Sequence, residues 1–462
     1  MFADSAIWLI DITIFVSLWI LGLLIVRALI PDSSLAEQLA LGYGCGIGSL
    51  TWLLFLASWA GIPINAQMIL IIYSLLVVIA IVENRHTNWP IQINSSTRRA
   101  TALNVVGWAI FVSFCLFLFI ISIGLSYSMW DAMAIWSVKG YGIGSNHTIF
   151  AADLWGAKGL AYPLNLPLAI SVFYTFSSDL LPGSKLIFTG FFVAMLIGLR
   201  VLFNQQRLPD WFAWCSVFLI GTIPILVQYS LLGYANIPFA YYYVIGVTWI
   251  GFGLTNQDSN RMLIGSILLA FSIWTRVEGL EFWIIAITGL VILWQRSMIN
   301  RKIILTIACP ALIIGGSWIV FGQLFHAETG ETDLLKDSLS RILHGEIYPI
   351  AAYRILRFTG YLFIKTQVYG IIAPALISLA FISLILIPNI RKEKLAITLF
   401  FSGVITFLGV MFMYYLTSYD QNNDLIYWLG TGYDRMLFGS VILLTTSSIL
   451  ILWKTLISKE IQ

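Results

Sequence analysis

The run VVGWAIFVSFCLFLFIISIGL (Val105–Leu125) decides the fold. It carries no charge, and at 1.5 Å per residue it is long enough to cross the roughly 30 Å of hydrocarbon in a bilayer. Outward from it, about thirteen runs meet the same length requirement. They lie near 8–30, 36–60, 67–83, 104–126, 184–203, 211–230, 237–255, 261–275, 279–295, 303–322, 367–388, 395–417 and 436–453. A further stretch near 163–178 is short and opens on two prolines, Pro163 and Pro167. The apolar residues run continuously instead of alternating, which disfavours a β-barrel. The expected fold is all-α, a polytopic transmembrane bundle of about 12–14 helices, with residues 1–462 as one integral-membrane domain and 1–103 as its N-terminal helices.

Composition agrees. The chain is 59% hydrophobic and 10% charged, with mean hydropathy +0.90, more apolar surface than a soluble core of this length absorbs. A net charge of +3 gives no reason to expect nucleic acid. The four cysteines (Cys45, Cys115, Cys215, Cys309) lie inside apolar runs, without metal-ligand spacing, and disulfides are not expected. The N-terminal MFADSAIW lacks the positive region of a cleavable signal.

The basic residues set an orientation. Arg85, Arg98, Arg99, Arg200, Arg207, Arg261, Arg296, Arg301, Lys302, Arg391, Lys392, Lys394, Lys454 and Lys459 fall on one side of a consistent alternation, the inside by the positive-inside rule. The N-terminus is then outside, provided that 163–178 does not span. Two outer loops are long. Residues 127–162 contain Asp131, Lys139, His147, Asp153 and Lys158. Residues 323–357 carry His326, Glu328, His344 and several further charges, with Leu334, Leu335, Leu339, Ile342 and Leu343 at helical spacing, the pattern of an amphipathic surface helix.

Four polar clusters share the outer face: Trp130-Asp131 with Lys139; Gly233-Tyr234-Ala235-Asn236-Ile237-Pro238; Thr275-Arg276-Val277-Glu278-Gly279; and Trp428-Leu429-Gly430-Thr431-Gly432-Tyr433-Asp434-Arg435. Carboxylates beside hydrocarbon are costly and mark candidate functional sites. One carboxylate among several cations suits attack by a hydroxyl on a lipid-linked phosphate ester. The acid takes the hydroxyl proton, and an Arg fork stabilises the leaving phosphate.

These residues resemble a family. WDAMAIWSVKG (Trp130–Gly140) is similar to the WDAxxxWxxKA stretch of bacterial GT-C superfamily glycosyltransferases, relatives of the protein O-mannosyltransferases. YPLNLP (Tyr162–Pro167) resembles their YPLLLP, GYANIPFA (Gly233–Ala240) their GYADxPLA, TRVEG (Thr275–Gly279) their TKNEG, and GTGYDRMLF (Gly430–Phe438) their xxxxDRLLL. The resemblance implies a GT-C-like bundle with an outward-facing site in a bacterial inner membrane. A polyprenyl-phosphate-linked sugar is the donor, and a lipid, glycan or protein hydroxyl the acceptor.

Under it Asp131 is the catalytic base; Arg435, Arg276 and Lys139 bind the donor phosphate; and Trp130, Tyr162, Asn165, Asn236, Glu278 and Asp434 line the site. The family admits a divalent metal, although no carboxylate cluster for one is evident. Three departures stand out: Asn236 for the usual Asp, Arg276-Val277 for Lys-Asn, and four helices before Asp131 where the best-known members have one.

Plainer readings coexist. Asp131 suits a helix N-cap or a pair with Lys139. Arg276 and Glu278 suit a hairpin salt bridge, and Asp434 and Arg435 suit a cap of the last helix. Trp130 and Trp136 suit an interfacial belt, and His326 and His344 suit solvated loop positions. Another class of function is a flippase for a polyprenyl-linked glycan. It is disfavoured because the charges gather at one rim instead of midway through broken helices.

Overall fold

The computed structural model describes residues 2–85, 102–127, 129–155, 159–177, 182–294, 301–325, 331–387, 390, 393–419 and 424–460. Among these residues there is no strand. The first part of the chain forms α1 (Phe2–Leu29), α2 (Leu35–Trp59), α3 (Ala66–Asn84), α4 (Ala102–Gly124), a π-helical segment (Ala132–Ser137), α5 (Val138–Asn146), α6 (Ala151–Leu154) and α7 (Asn165–Ser177). The middle forms α8 (Leu186–Gln205), α9 (Asp210–Gly221), α10 (Pro224–Leu232), α11 (Asn236–Asn256), α12 (Ser259–Ile273), α13 (Gly279–Trp294) and α14 (Arg301–Leu324). The last part forms α15 (Glu331–Leu343), α16 (Pro349–Ile364), α17 (Thr366–Tyr369), α18 (Ile372–Leu386), α19 (Lys394–Thr417), α20 (Leu425–Thr431), α21 (Tyr433–Met436) and α22 (Phe438–Glu460).

Nine helices among the described residues are long and apolar enough to cross a bilayer. A tenth candidate span is α9 with α10, bent by 62° at Pro224, which has no N–H to continue the ladder. The runs near 261–275, 279–295 and 367–388, expected to span, form the shorter apolar helices α12, α13 and α18, and the 15 residues of α12 and of α18 reach only about 22 Å. The molecule is a multi-pass helical membrane protein. Its backbone hydrogen bonds lie largely inside its helices, the arrangement hydrocarbon requires.

Residues 163–178 do not change the parity of crossing. The described part of this stretch forms α7 (Asn165–Ser177), whose 13 residues reach only about 20 Å. Before this region Leu125 follows α4, and after it Lys185 precedes α8. The Lys185 ammonium donates to the Leu125 carbonyl at 2.8 Å, and Tyr127 and Ser184 hydroxyls meet at 2.9 Å. The chain from 125 to 185 therefore leaves and returns to one face, and α5 and α7 are laid into the bundle between.

α8 and α11 form the centre and are almost wholly enclosed. Successive tyrosines of α11 tie the bundle together. Tyr241 donates to Ala40 O at 2.7 Å, Tyr242 to Gly44 O at 3.0 Å, and Tyr243 meets the Thr406 hydroxyl. Helices α1 and α2 touch backbone to backbone: a Cβ on Gly22 would stand 1.6 Å from Gly42 O, the small-residue packing used where lipid offers no hydrophobic drive.

On the face opposite Leu125, buried Glu37 is gripped by Arg261 through two bonds, of 2.9 and 3.0 Å, and by Trp249 Nε1 at 3.0 Å. Arg200 holds Asp210 there at 2.9 Å and lies over the Trp214 ring. These pairs join α2, α11 and α12, and α8 to α9.

Within 323–357 the described residues are the end of α14, α15 and the first part of α16. Ser338 donates to Leu416 O at 3.1 Å and Arg341 to Tyr419 O at 3.1 Å, fixing α15 onto the end of α19. Leu343, Ile350, Tyr353 and Leu356 are exposed, and Arg354 and Arg357 share that exposed side of α16.

Candidate functional site

Asp131 stands at the entry to the π-helical segment Ala132–Ser137 but makes no side-chain cap bond. Its carboxylate reaches Arg435 Nη1 at 2.5 Å, a contact between residues 304 positions apart. Both side chains are mostly enclosed, at 19% and 13% exposure, so the pair is worth more than a solvated one. Pairing with Arg435 replaces both plainer expectations for Asp131, the cap and the bond to Lys139. A π-helical turn is an uncommon insertion that recurs at functional sites. Here it lies directly beside the acid.

Arg435 comes from the short α21. Its guanidinium stacks 4.9 Å from the centre of the Tyr234 ring. Tyr234 follows Gly233, whose φ of +79° favours glycine. A Cβ on Gly233 would also stand 2.7 Å from the Tyr127 ring. The glycine thus makes the turn that presents Tyr234 and seats the chain against Tyr127.

A second ion pair stands in the turn between α12 and α13. Gly279 N–H returns to Arg276 O at 3.0 Å. The Arg276 fork holds Glu278 through Nε at 3.0 Å and Nη2 at 2.6 Å, while Nη1 donates to Asn236 Oδ1 at 3.3 Å. Burial opposes ionisation of Glu278, but the Arg276 guanidinium outweighs it and holds the carboxyl below its ordinary range.

The two pairs form one electrostatic cluster. Arg435 acts on Glu278, and Asp131 and Tyr162 act on Arg276. Tyr414 of α19 lies in the field of Glu278, Arg435, Arg276 and Asp434. Asp434 turns back on its own backbone, its Oδ1 accepting from Arg435 N at 2.7 Å. Burial raises its carboxyl above the ordinary range, against that N–H bond and the Arg435 charge. That N–H bond is to the adjacent residue inside α21, which has no side-chain cap, so it is not the expected cap of the last helix.

The structure therefore gathers Asp131, Arg435, Asp434, Arg276, Glu278, Asn236 and Tyr162. Three other named residues stand differently. Lys139 is fully buried and donates to Gly159 O at 2.6 Å, with its ammonium 5.7 Å from the Tyr162 ring centre. It braces the loop behind Tyr162 and does not reach Asp131. Asn165 is fully buried between Thr51, whose hydroxyl it accepts at 2.7 Å, and Thr275, to which it donates at 2.8 Å. It buttresses the segment carrying Arg276 from the bundle interior. Trp130 is 62% exposed, as an interfacial ring is, whereas Trp136 is 1% exposed and meets Tyr162 edge-on at 5.8 Å. Trp136 is thus a packing residue of the site loop, not part of a belt.

Of the loop residues singled out in the sequence, Lys158, His326 and Glu328 lie outside the described residues, and His344 is exposed and bonds its own helix through Ser340 O.

The sequence reading missed four tyrosines. Tyr229 lies in the field of Asp434, Arg435 and Asp131. Tyr234 carries Arg435, Tyr414 lies in the field of both pairs, and the Tyr369 hydroxyl donates to Asp434 O. Tyr234 lay inside a quoted motif. Tyr229, Tyr369 and Tyr414 sit in apolar runs with no local signal.

Burial drives the Lys139 ammonium down from its ordinary 10.5 to about 8, only partly offset by Asp153. Between these values the unfolded chain binds more protons than the folded one, so Lys139 makes the protein more stable as pH rises from about 8 to 10.5. In Lys139→Met that part of the rise should vanish. A melting series over this window, wild type against variant, checks it; identical slopes count against it.

Among the described residues no three His, Cys, Asp or Glu side chains converge as a metal site. All four cysteines are free. No protein-family model, curated protein or solved structure matches this chain.

Proposed function

We propose that the protein is a glycosyltransferase of GT-C type, moving a sugar from a polyprenyl-phosphate carrier to an acceptor hydroxyl on the outer face of a bacterial inner membrane. The observation that carries this reading is the Asp131–Arg435 pair. It brings a carboxylate and a phosphate-matching fork within 2.5 Å of each other beside a second Arg-carboxylate pair at one face of a membrane bundle.

The chemistry follows from the groups. The acceptor O–H gives its proton to Asp131 as its oxygen bonds to the anomeric carbon. The bond from that carbon to the phosphate oxygen breaks, its electron pair leaves with the phosphate, and the sugar inverts. Arg435 and Arg276 stabilise the charge gained by the phosphate. Because Arg435 is committed to Asp131, an incoming phosphate competes for the guanidinium and releases the carboxylate. The base is then free only when a donor is present. Burial of the pair makes this exchange selective, since an uncompensated charge is costly there.

The test uses membranes containing the protein, radiolabelled polyprenyl-phosphate sugars and a set of acceptors. Wild type is expected to transfer label. Arg435→Lys, which keeps the charge but loses the fork, is expected to lose about 10- to 100-fold of it. Label that instead crosses sealed vesicles unchanged would favour a flippase. A feature against that alternative is the position of Asp11, the buried acid of α1. It lies against Gly183, just before α8, near the start of the candidate span Ile7–Leu29 and not midway along it.

A further inference from the structure

Helix α11 begins inside the protein. Ala235, Asn236 and Ile237 are all at most 1% exposed, and no side chain caps the helix. The first backbone bond back to this end is Phe239 N–H to Ala235 O, and Pro238 has no N–H. Among the described residues no backbone carbonyl outside the helix is found to take the N–H of Asn236 or Ile237. A buried helix start normally finds partners for these groups, because each unmet donor is costly.

The Asn236 side chain adds an unmet donor of its own. Arg276 can only donate, so the amide oxygen must be the end that faces it. The amide nitrogen, Nδ2, therefore points elsewhere; it is buried and has no partner. Side chains in the first turn lean toward the N-terminal end of their helix, so the Asn236 amide stands at the end that carries these N–H groups. Arg276 spends Nε and Nη2 on Glu278, leaving Nη1 beside Asn236. The acceptors here, Asn236 Oδ1 and the Glu278 carboxylate, are both engaged by Arg276, so the groups left unengaged at this end are donors, and the helix dipole adds positive potential. Such a set repels a cation and fits a tetrahedral oxyanion. An aspartate at 236 would place a carboxylate there and occupy the site with the protein's own charge.

We propose that the start of α11, with Asn236 Nδ2 and Arg276, is a binding subsite for the phosphate of a lipid phosphomonoester or phosphodiester. The inference deepens the glycosyltransferase reading and rests on it for the identity of the lipid carrier. Arg435 then serves the other side of the same phosphate, once that anion displaces Asp131.

The experiment is calorimetric titration of the full-length protein, in neutral detergent, with farnesyl phosphate and with farnesol. Wild type is expected to prefer farnesyl phosphate by at least about tenfold, with Asn236→Asp abolishing the preference and Asn236→Ala lowering it about three- to tenfold. Farnesol binding should be the same in all three. Competition by inorganic phosphate would show that the headgroup alone is recognised; without competition, the lipid tail contributes. Should Asn236→Asp fail to fold, the Ala variant and the wild-type preference decide. Equal preference in wild type and Asn236→Ala, or none in wild type, overturns the proposal.

The two readings fail separately. Full sugar transfer by Asn236→Asp would sink the subsite and leave the enzyme. Phosphate recognition at Asn236 without sugar transfer from any donor would do the reverse.

Discussion

Asp131→Asn should lower sugar transfer by about 10²- to 10⁴-fold, the range contributed by a positioned base. The pattern of the loss is as informative as its size. Asparagine keeps the shape of the side chain and an oxygen for Arg435 but cannot take the acceptor proton. It also ends the claim of Asp131 on the Arg435 charge, so the apparent affinity for the donor should hold or rise while turnover collapses. A merely structural role for the Asp131–Arg435 pair predicts the opposite balance: a lower melting temperature and donor affinity, with turnover kept in the molecules that remain folded. Steady-state transfer with varied donor, at matched expression, separates the two. Wild-type turnover in the variant would end the proposed mechanism.

The second large effect concerns stability on the other face. Arg261→Met removes the cation that grips Glu37, whose side chain is 2% exposed. Breaking a buried pair from one side typically costs on the order of 3–5 kcal/mol. Asp258 and Asp32, which also contact Arg261, are more exposed and lose less. The double variant Glu37→Gln with Arg261→Met should recover much of the loss, because the stranded charge is gone and Trp249 keeps an oxygen to donate to. Thermal unfolding of the purified protein in detergent checks both. Arg261→Met melting with wild type would show that α2, α11 and α12 are held by packing alone. A matching control is Arg354→Gln on the exposed side of α16, where a change within about 0.5 kcal/mol is expected.

The candidate site was legible in pieces. WDAMAIWSVKG, GYANIPFA, TRVEG and GTGYDRMLF each contain a residue now found in the cluster, and the topology already set them at one face. Which residues meet was not legible. Lys139 is eight positions from Asp131 and was the natural partner by spacing, but the π-helical turn and α5 carry it inward to Gly159. Asn165 sat in a motif resembling YPLLLP, yet its helix is laid into the bundle and its amide bonds Thr51 and Thr275. Tyr414 gave no signal at all, because an aromatic in the apolar run of α19 reads as lipid-facing until its neighbours are known.

The membrane class, the helical backbone and the nine long apolar helices among the described residues were already legible in the sequence. Those properties are local: a segment of about 20 apolar residues must satisfy its own backbone in hydrocarbon, whatever surrounds it. Tertiary structure alone decided that Asp131 answers to Arg435, that Arg276 divides its fork between Glu278 and Asn236, and that α11 starts in the interior with the Asn236 amide nitrogen unmet. Those facts depend on how helices cross and rotate against one another. A side chain's partner across 304 residues is set by that packing and leaves no trace in the spacing of the chain.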